Sequence, residues 1–346
     1  MFFKIRKRVE KELANFISGL DKDYGLSRIS PLLSKSIKEV ALRKGKRIRP
    51  TLFTIGYLGY AKKPAPGLFR SAVSLELLHD FMLVHDDIID KSDTRRGKPS
   101  MHALLNKQLK VKSDTKFNGQ DLAIIVGDVM YAMALRAFLS VNENMQRKEQ
   151  AFKKLIEAAL YTGSGEFIEL MLSLKPIERV TKNDIYKIYD LKTANYSFSA
   201  PLVMGATLAG AGERELNKLH DYGIYLGRAF QIQDDILGMF ADEIKIGKSG
   251  LTDLKEAKKT LLIWYAYNNS GGKDRLLIKK ILNSKTSGKS ELMRMRRMII
   301  TSKALDYVKK EIALLSVKAK TKLNTARINP KYKTSLHEYT DSILSL

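Results

Sequence analysis

Two acidic clusters, His85-Asp86-Asp87-Ile88-Ile89-Asp90 and Gln233-Asp234-Asp235-Ile236-Leu237-Gly238, each close an apolar run of helical character. Carboxylates crowded onto a buried helix repel one another and lose hydration, so the arrangement is costly unless cations neutralise it. A chain with two such clusters has to fold so that both face a place where cations gather. On an α-helix Asp86 and Asp90 share a face and Asp87 lies about 100° round it, so one side of the helix can grip one or two cations. Mg2+ suits this donor set, because it takes oxygen ligands, keeps several waters and is commonly shared between carboxylates and phosphates. The bland alternative is an acidic helix end with caps, which explains one cluster better than two.

The rest of the chain is consistent with helices. Only 8 prolines and 22 glycines interrupt 346 residues, and long amphipathic segments separate them. With 44% hydrophobic residues a sizeable core is affordable. We expect an all-α protein of ten to thirteen helices, forming a single domain over residues 1–346 around a central cavity, with the two acidic clusters as halves of a pseudo-repeat. Thr181 and Asp184 have the spacing of a capping box opening a periodic run through Ile185, Ile188, Tyr189 and Leu191. The uncharged stretch from Ala194 to Gly212 holds Asn195, Ser197, Ser199, Pro201 and three glycines, so it reads as a packed interior helix rather than a membrane span.

The formal net charge of +24 invites a nucleic-acid reading. Distribution argues against it, since the lysines are interspersed with glutamates at helical spacing and no nucleic-acid motif accompanies them. Small anionic substrates, or loose contact with an anionic membrane surface, fit the same charge. No cysteine is present, which excludes thiolate metal sites and nucleophiles. The start, MFFKIRKRVEKELANF, lacks the apolar core of a signal peptide and reads as a basic amphipathic helix, so a cytoplasmic protein is expected.

Phosphate-type partners surround the carboxylates. Arg43-Lys44-Gly45-Lys46-Arg47-Ile48-Arg49-Pro50 packs five cations into seven positions, with Gly45 allowing close approach and Pro50 favouring a helix start. Asp93-Thr94-Arg95-Arg96-Gly97-Lys98-Pro99 follows the first acidic cluster; Lys192-Thr193 sits mid-chain; Gly247-Lys248 and Lys258-Lys259-Thr260 follow the second. Each pair alone is commonplace on a solvated face. Interleaved with two aspartate clusters they describe a clamp: carboxylates hold metal, metal holds a diphosphate, and Arg and Lys finish neutralising it.

In this order GKRIRP, HDDIIDKSDTRRGKP, KT, FQIQDDILGMFAD and the following GK and K resemble the trans-type isoprenyl diphosphate synthases. The resemblance runs from about Gly45 to Lys258, and more weakly through Ile299 to Leu323. It implies the isoprenoid synthase fold, a homodimer, and condensation of isopentenyl diphosphate with an allylic diphosphate. By the same resemblance Asp86, Asp87, Asp90, Asp234 and Asp235 hold three Mg2+ ions on the allylic diphosphate, which Arg95, Lys192, Thr193, Gln231, Lys248 and Lys258 contact. Lys46, Arg49, His79 and Arg96 then form the metal-free isopentenyl diphosphate pocket. His79 lies seven residues before Asp86, hence on the same helical face.

The chain departs from the family's pattern in places. Gly238 stands where a third Asp is frequent, and the nearest candidate, Asp242, is expected to act on metal through water. Glu166 and Glu169 replace a Gln and an Asp, and Ala257 a frequent Gly. Product length depends on what lies below the first motif. Helical spacing places Met82 under Asp86, while Phe81, about 7.5 Å deeper along the axis, is the aromatic that in archaeal-type relatives stops growth at twenty carbons. We therefore expect geranylgeranyl diphosphate, with farnesyl or longer products, a terpene cyclase and a non-catalytic subunit as the alternatives. A His-Asp phosphohydrolase is the rival from another class.

Overall fold

The computed structural model describes residues 1–95, 97–109, 116–240, 254, 256–284 and 288–345. Among these residues strands are confined to a two-residue hairpin, Thr94–Arg95 paired antiparallel with Lys98–Pro99. Helices α1 to α8 are Phe2–Tyr24, Leu26–Ile29, Pro31–Ala41, Ile48–Leu58, Leu68–Ile89, Met101–Leu109, Gly119–Phe138 and Met145–Leu174. Then come α9 (Lys182–Tyr189), a π-helical stretch Asp190–Ser199 running into α10 (Ala200–Leu208), and α11 (Glu213–Phe240). The C-terminal helices are α12 (Leu261–Asn268), α13 (Gly272–Leu282), α14 (Lys289–Thr301), α15 (Ala304–Thr325) and α16 (Pro330–Leu344).

The all-α expectation holds, although the chain is cut more finely than the ten to thirteen helices read from sequence. Gly25 ends α1 in the left-handed region at φ 64°. Ser30 then caps α3, its hydroxyl accepting from Leu33 N at 3.2 Å with Pro31 at the first helical position. Three helices thus occupy a stretch whose punctuation is only a glycine and a serine-proline pair.

The contacts divide into two compact units, Met1–Lys154 with Pro201–Gly212 and Leu155–Ala200 with Glu213–Leu346. In the first, α5 buries most of its residues from Leu68 to Leu78, flanked by α4 and α7. In the second, α11 packs on α15 and on the π-helical stretch, over a core that includes Ile232, Ile236, Met239, Leu261, Ile263 and Val308. The capping box at Thr181 forms as expected, with Asp184 N bonded to Thr181 Oγ1 at 3.1 Å and Thr181 N to Asp184 Oδ2 at 2.9 Å. Two glycines let α11 approach the π-helical stretch: a Cβ on Gly223 would lie 2.4 Å from Ser199 Cα, and one on Gly227 2.3 Å from Ala194 Cα. The uncharged run is interior, with Leu202, Met204 and Ala206 fully buried. No helix among the described residues is long and apolar enough to cross a membrane.

Candidate active site

In the first unit the site is built on the C-terminal end of α5. Asp90 caps that helix, its N–H bonded to Asp86 O. Asp87 is only 3% exposed and would be an expensive charge without a partner. Arg95 supplies one: Nε donates to Asp87 Oδ1 at 2.7 Å and Nη2 to Asp86 Oδ2 at 2.9 Å. Burial pulls the guanidinium down, yet Asp87 and Asp86 outweigh it and hold Arg95 above its ordinary value. The hairpin that presents Arg95 is itself held by Arg43, whose Nη2 donates to Pro99 O at 2.9 Å.

The five cations between Arg43 and Arg49 divide by direction. Arg47, in left-handed backbone at φ 49°, is buried; Nη1 donates to Glu76 Oε1 at 2.5 Å and Nη2 to Arg43 O at 2.6 Å. With Arg43 and Arg47 spent on the loop, Lys46 stands exposed and Arg49 half-buried on the first turn of α4. His79 is half-buried on α5, about 10 Å along the axis from Asp86. Met82 and Phe81 are half-buried as well. The Phe81 ring packs edge-on against His85, with centroids 4.6 Å apart, and lies 5.2 Å from the ring of Tyr131 on α7.

In the second unit the site lies where α11 meets the π-helical stretch. The wider turn of a π-helix changes which side chains face the neighbouring helix, and such segments are frequent at functional sites. Here it brings Thr193 Oγ1 to 2.6 Å from Gln231 Oε1, and Gln231 Nε2 donates to Asp235 Oδ1 at 3.0 Å. Tyr189 donates its hydroxyl to Asp235 Oδ2. Lys192 is bracketed by Glu166 and Glu169 of α8, both ion-paired to it. Arg228 clamps Asp190 with two bonds of 2.6 Å, which anchors the stretch to α11. Asp234 is exposed and Gly238 half-buried on α11. Lys258 pairs with Glu256 at 2.7 Å, while its neighbour Lys259 is buried and donates to Leu172 O at 3.1 Å and Ser173 O at 2.6 Å. Ala257, between Glu256 and Lys258, has φ 51°. Arg96, Asp242 and Lys248 lie outside the described residues.

The polyprenyl synthetase family model matches residues 30–299. The chain belongs to the polyprenyl synthetase family. It is 30% identical over 300 residues to the geranylgeranyl diphosphate synthase of Sulfolobus acidocaldarius, covering 86% of this chain and 84% of that one. It is 35% identical over 268 residues to the geranylfarnesyl diphosphate synthase of Aeropyrum pernix, covering 76% and 78%. Among solved structures, a geranylgeranyl pyrophosphate synthase from Corynebacterium glutamicum superposes with a TM-score of 0.90 over 99% of this chain and 98% of that one, at 23% identity. A polyprenyl synthase from Caulobacter crescentus, complexed with calcium and isoprenyl diphosphate, gives 0.82 at 26% identity over 100% and 98%. The fold is the all-α fold of these structures, and the chain is a trans-prenyltransferase acting on isoprenyl diphosphates.

Set in a polyprenyl synthetase, the aspartates at the ends of α5 and α11 offer carboxylate oxygens, a donor set that fits a hard divalent cation such as Mg2+. Three features escaped the sequence reading. Tyr189 sits in the apolar period of α9 and reads there as core; nothing in its neighbourhood marks a partner 46 positions away. Glu166 and Glu169 stood out as departures from the family, without a sign that both face Lys192. Tyr131 carries no signal at all until α7 is placed beside α5.

Proposed function

We propose that this prenyltransferase condenses isopentenyl diphosphate with an allylic diphosphate, using Mg2+ held by Asp86, Asp87, Asp90, Asp234 and Asp235, and releases geranylgeranyl diphosphate. The observation that carries this reading is the supported state of both acidic motifs: Arg95 spans Asp86 and Asp87, and Gln231 and Tyr189 address the two oxygens of Asp235. Such preorganised carboxylates suit a metal-diphosphate site better than a solvated helix end. Three Mg2+ ions are the number implied by the family resemblance, with Asp242 acting through water in place of a carboxylate at Gly238.

Bound Mg2+ would supply Lewis-acid neutralisation of the departing diphosphate. Arg95, Lys192, Thr193, Gln231, Lys248 and Lys258 contact that diphosphate and stabilise the charge that develops as the allylic carbon–oxygen bond breaks. Arg95 already lies across Asp86 and Asp87, so it can add phosphate oxygens to an existing charge pair. Lys46, Arg49, His79 and Arg96 hold isopentenyl diphosphate with its double bond toward the allylic cation. Its π electrons form the new carbon–carbon bond, and the released diphosphate takes the proton that restores an alkene. No side-chain base is needed.

Phe81 is the floor that ends growth, and its packing against His85 and Tyr131 supports a fixed product length. The 35% identity to a geranylfarnesyl diphosphate synthase favours a twenty-five-carbon product as the second reading. A homodimer is proposed as the working form, supported by an exposed apolar stripe along α8: Ile156, Leu160, Phe167, Leu170, Met171 and Leu174. Asp86→Ala and Asp234→Ala test the metal assignment. Each is expected to lower Mg2+-dependent turnover by about 10³-fold or more, on the scale of losing transition-state charge stabilisation; near-normal turnover in either would remove that residue from the site.

A further inference from the structure

We infer that Tyr189 is a positioning residue that holds the second-motif carboxylate Asp235 in register with the start of α12. The inference rests on the proposed reading of Asp235 as a Mg2+ ligand. Tyr189 ends α9 and is buried, yet its hydroxyl has two partners: it donates to Asp235 Oδ2 and accepts from Leu261 N at 2.9 Å. Leu261 is the first residue of α12, where backbone N–H groups lack intrahelical acceptors. Thr260 Oγ1 accepts from Ile263 N at 3.3 Å, and Tyr189 accepts from Leu261 N.

A hydroxyl that accepts from the positive end of a helix becomes a better donor, and here the proton goes to a carboxylate. Gln231 addresses the other oxygen of Asp235 from one turn earlier on the same helix, at 3.0 Å. Only the tyrosine ties Asp235, among these two, to a different element. Lys258, which the same reading assigns to the diphosphate, lies two residues before the Thr260 cap. A phenylalanine would fill the same apolar volume, so packing alone does not call for the hydroxyl.

The test is Tyr189→Phe alongside Asp235→Asn. Mg2+ is titrated calorimetrically into each protein with inorganic diphosphate present, hydrogen exchange at the Leu261 amide is followed without metal, and the KM for isopentenyl diphosphate is measured. Tyr189→Phe is expected to weaken Mg2+ binding about tenfold, the scale of one hydrogen bond to a charged group, to speed exchange at Leu261, and to leave that KM unchanged. An unchanged Mg2+ affinity in Tyr189→Phe, with binding lost in Asp235→Asn, would overturn the role of Tyr189 while leaving Asp235 as a ligand. Full binding in Asp235→Asn would overturn the ligand assignment and this inference with it. Should Tyr189→Phe fail to fold, 3-fluorotyrosine at position 189 keeps the hydroxyl. Its fluorine resonance is expected to shift when Mg2+ and diphosphate bind, and a resonance that stays fixed would count against the inference.

Discussion

Ala257 occupies a conformation that a glycine would hold at less cost. Its φ of 51° lies in the left-handed region, where a Cβ costs about 1–2 kcal/mol, and it immediately precedes Lys258. Glycine would remove the strain but widen the unfolded ensemble, so Ala257→Gly should stabilise the fold by roughly 0.5–1 kcal/mol, as read by denaturant unfolding. A destabilised variant would show that the alanine methyl has packing worth more than the strain. Phe81 is the residue on which the proposed product length turns. Phe81→Ala should shift the product beyond twenty carbons on chromatography, because on the proposed reading the ring seated against His85 and Tyr131 is the floor; an unchanged product distribution would assign the stop to another residue. At this scale the sequence discloses charged residues better than their duties. Arg43, Lys46, Arg47 and Arg49 look equivalent in a run of cations. Only the left-handed turn at Arg47 and the bonds around it show that Arg43 and Arg47 hold the loop.

Among the elements, α11 and the π-helical stretch Asp190–Ser199 do most to assemble the second half of the site. Periodicity marks both as helix, since Gly223 and Gly227 interrupt α11 without breaking its apolar face. The change from α to π winding has no comparable signal, and that change aligns Thr193 with Gln231. The C-terminal end of α8 gives a pH test. Lys259 donates to Leu172 O and Ser173 O there, and burial pulls its ammonium down to about 8. Unfolded, the same group titrates near 10.5. Between those values the unfolded chain binds more protons, so the contribution of this lysine to stability rises with pH and is lost as pH falls through about 8. Unfolding of wild type and Lys259→Met, compared at pH 7.5 and pH 10.5, should show wild type gaining about 1–3 kcal/mol on the variant at the higher pH. No relative gain would mean that the two carbonyls keep the ammonium charged throughout.

For the whole molecule, the arrangement of charge says more than its total. A net charge of +24 suggested polyanions in general, and the two aspartate motifs narrowed that to diphosphates. The order of the motifs, from the cations before α4 to Lys258 before α12, carried the family and the fold, because each belongs to a helix end that periodicity can locate. Product length is less legible, since it depends on how deep a ring on one helix reaches against rings on another. The central claim is condensation at a Mg2+-diphosphate site. Its most direct test is incubation of the purified protein with Mg2+, labelled isopentenyl diphosphate and an allylic diphosphate, followed by separation of the products. The account predicts labelled isoprenyl diphosphates extended by five-carbon units and ending at geranylgeranyl diphosphate; label left in isopentenyl diphosphate while the allylic substrate is hydrolysed or cyclised would contradict it.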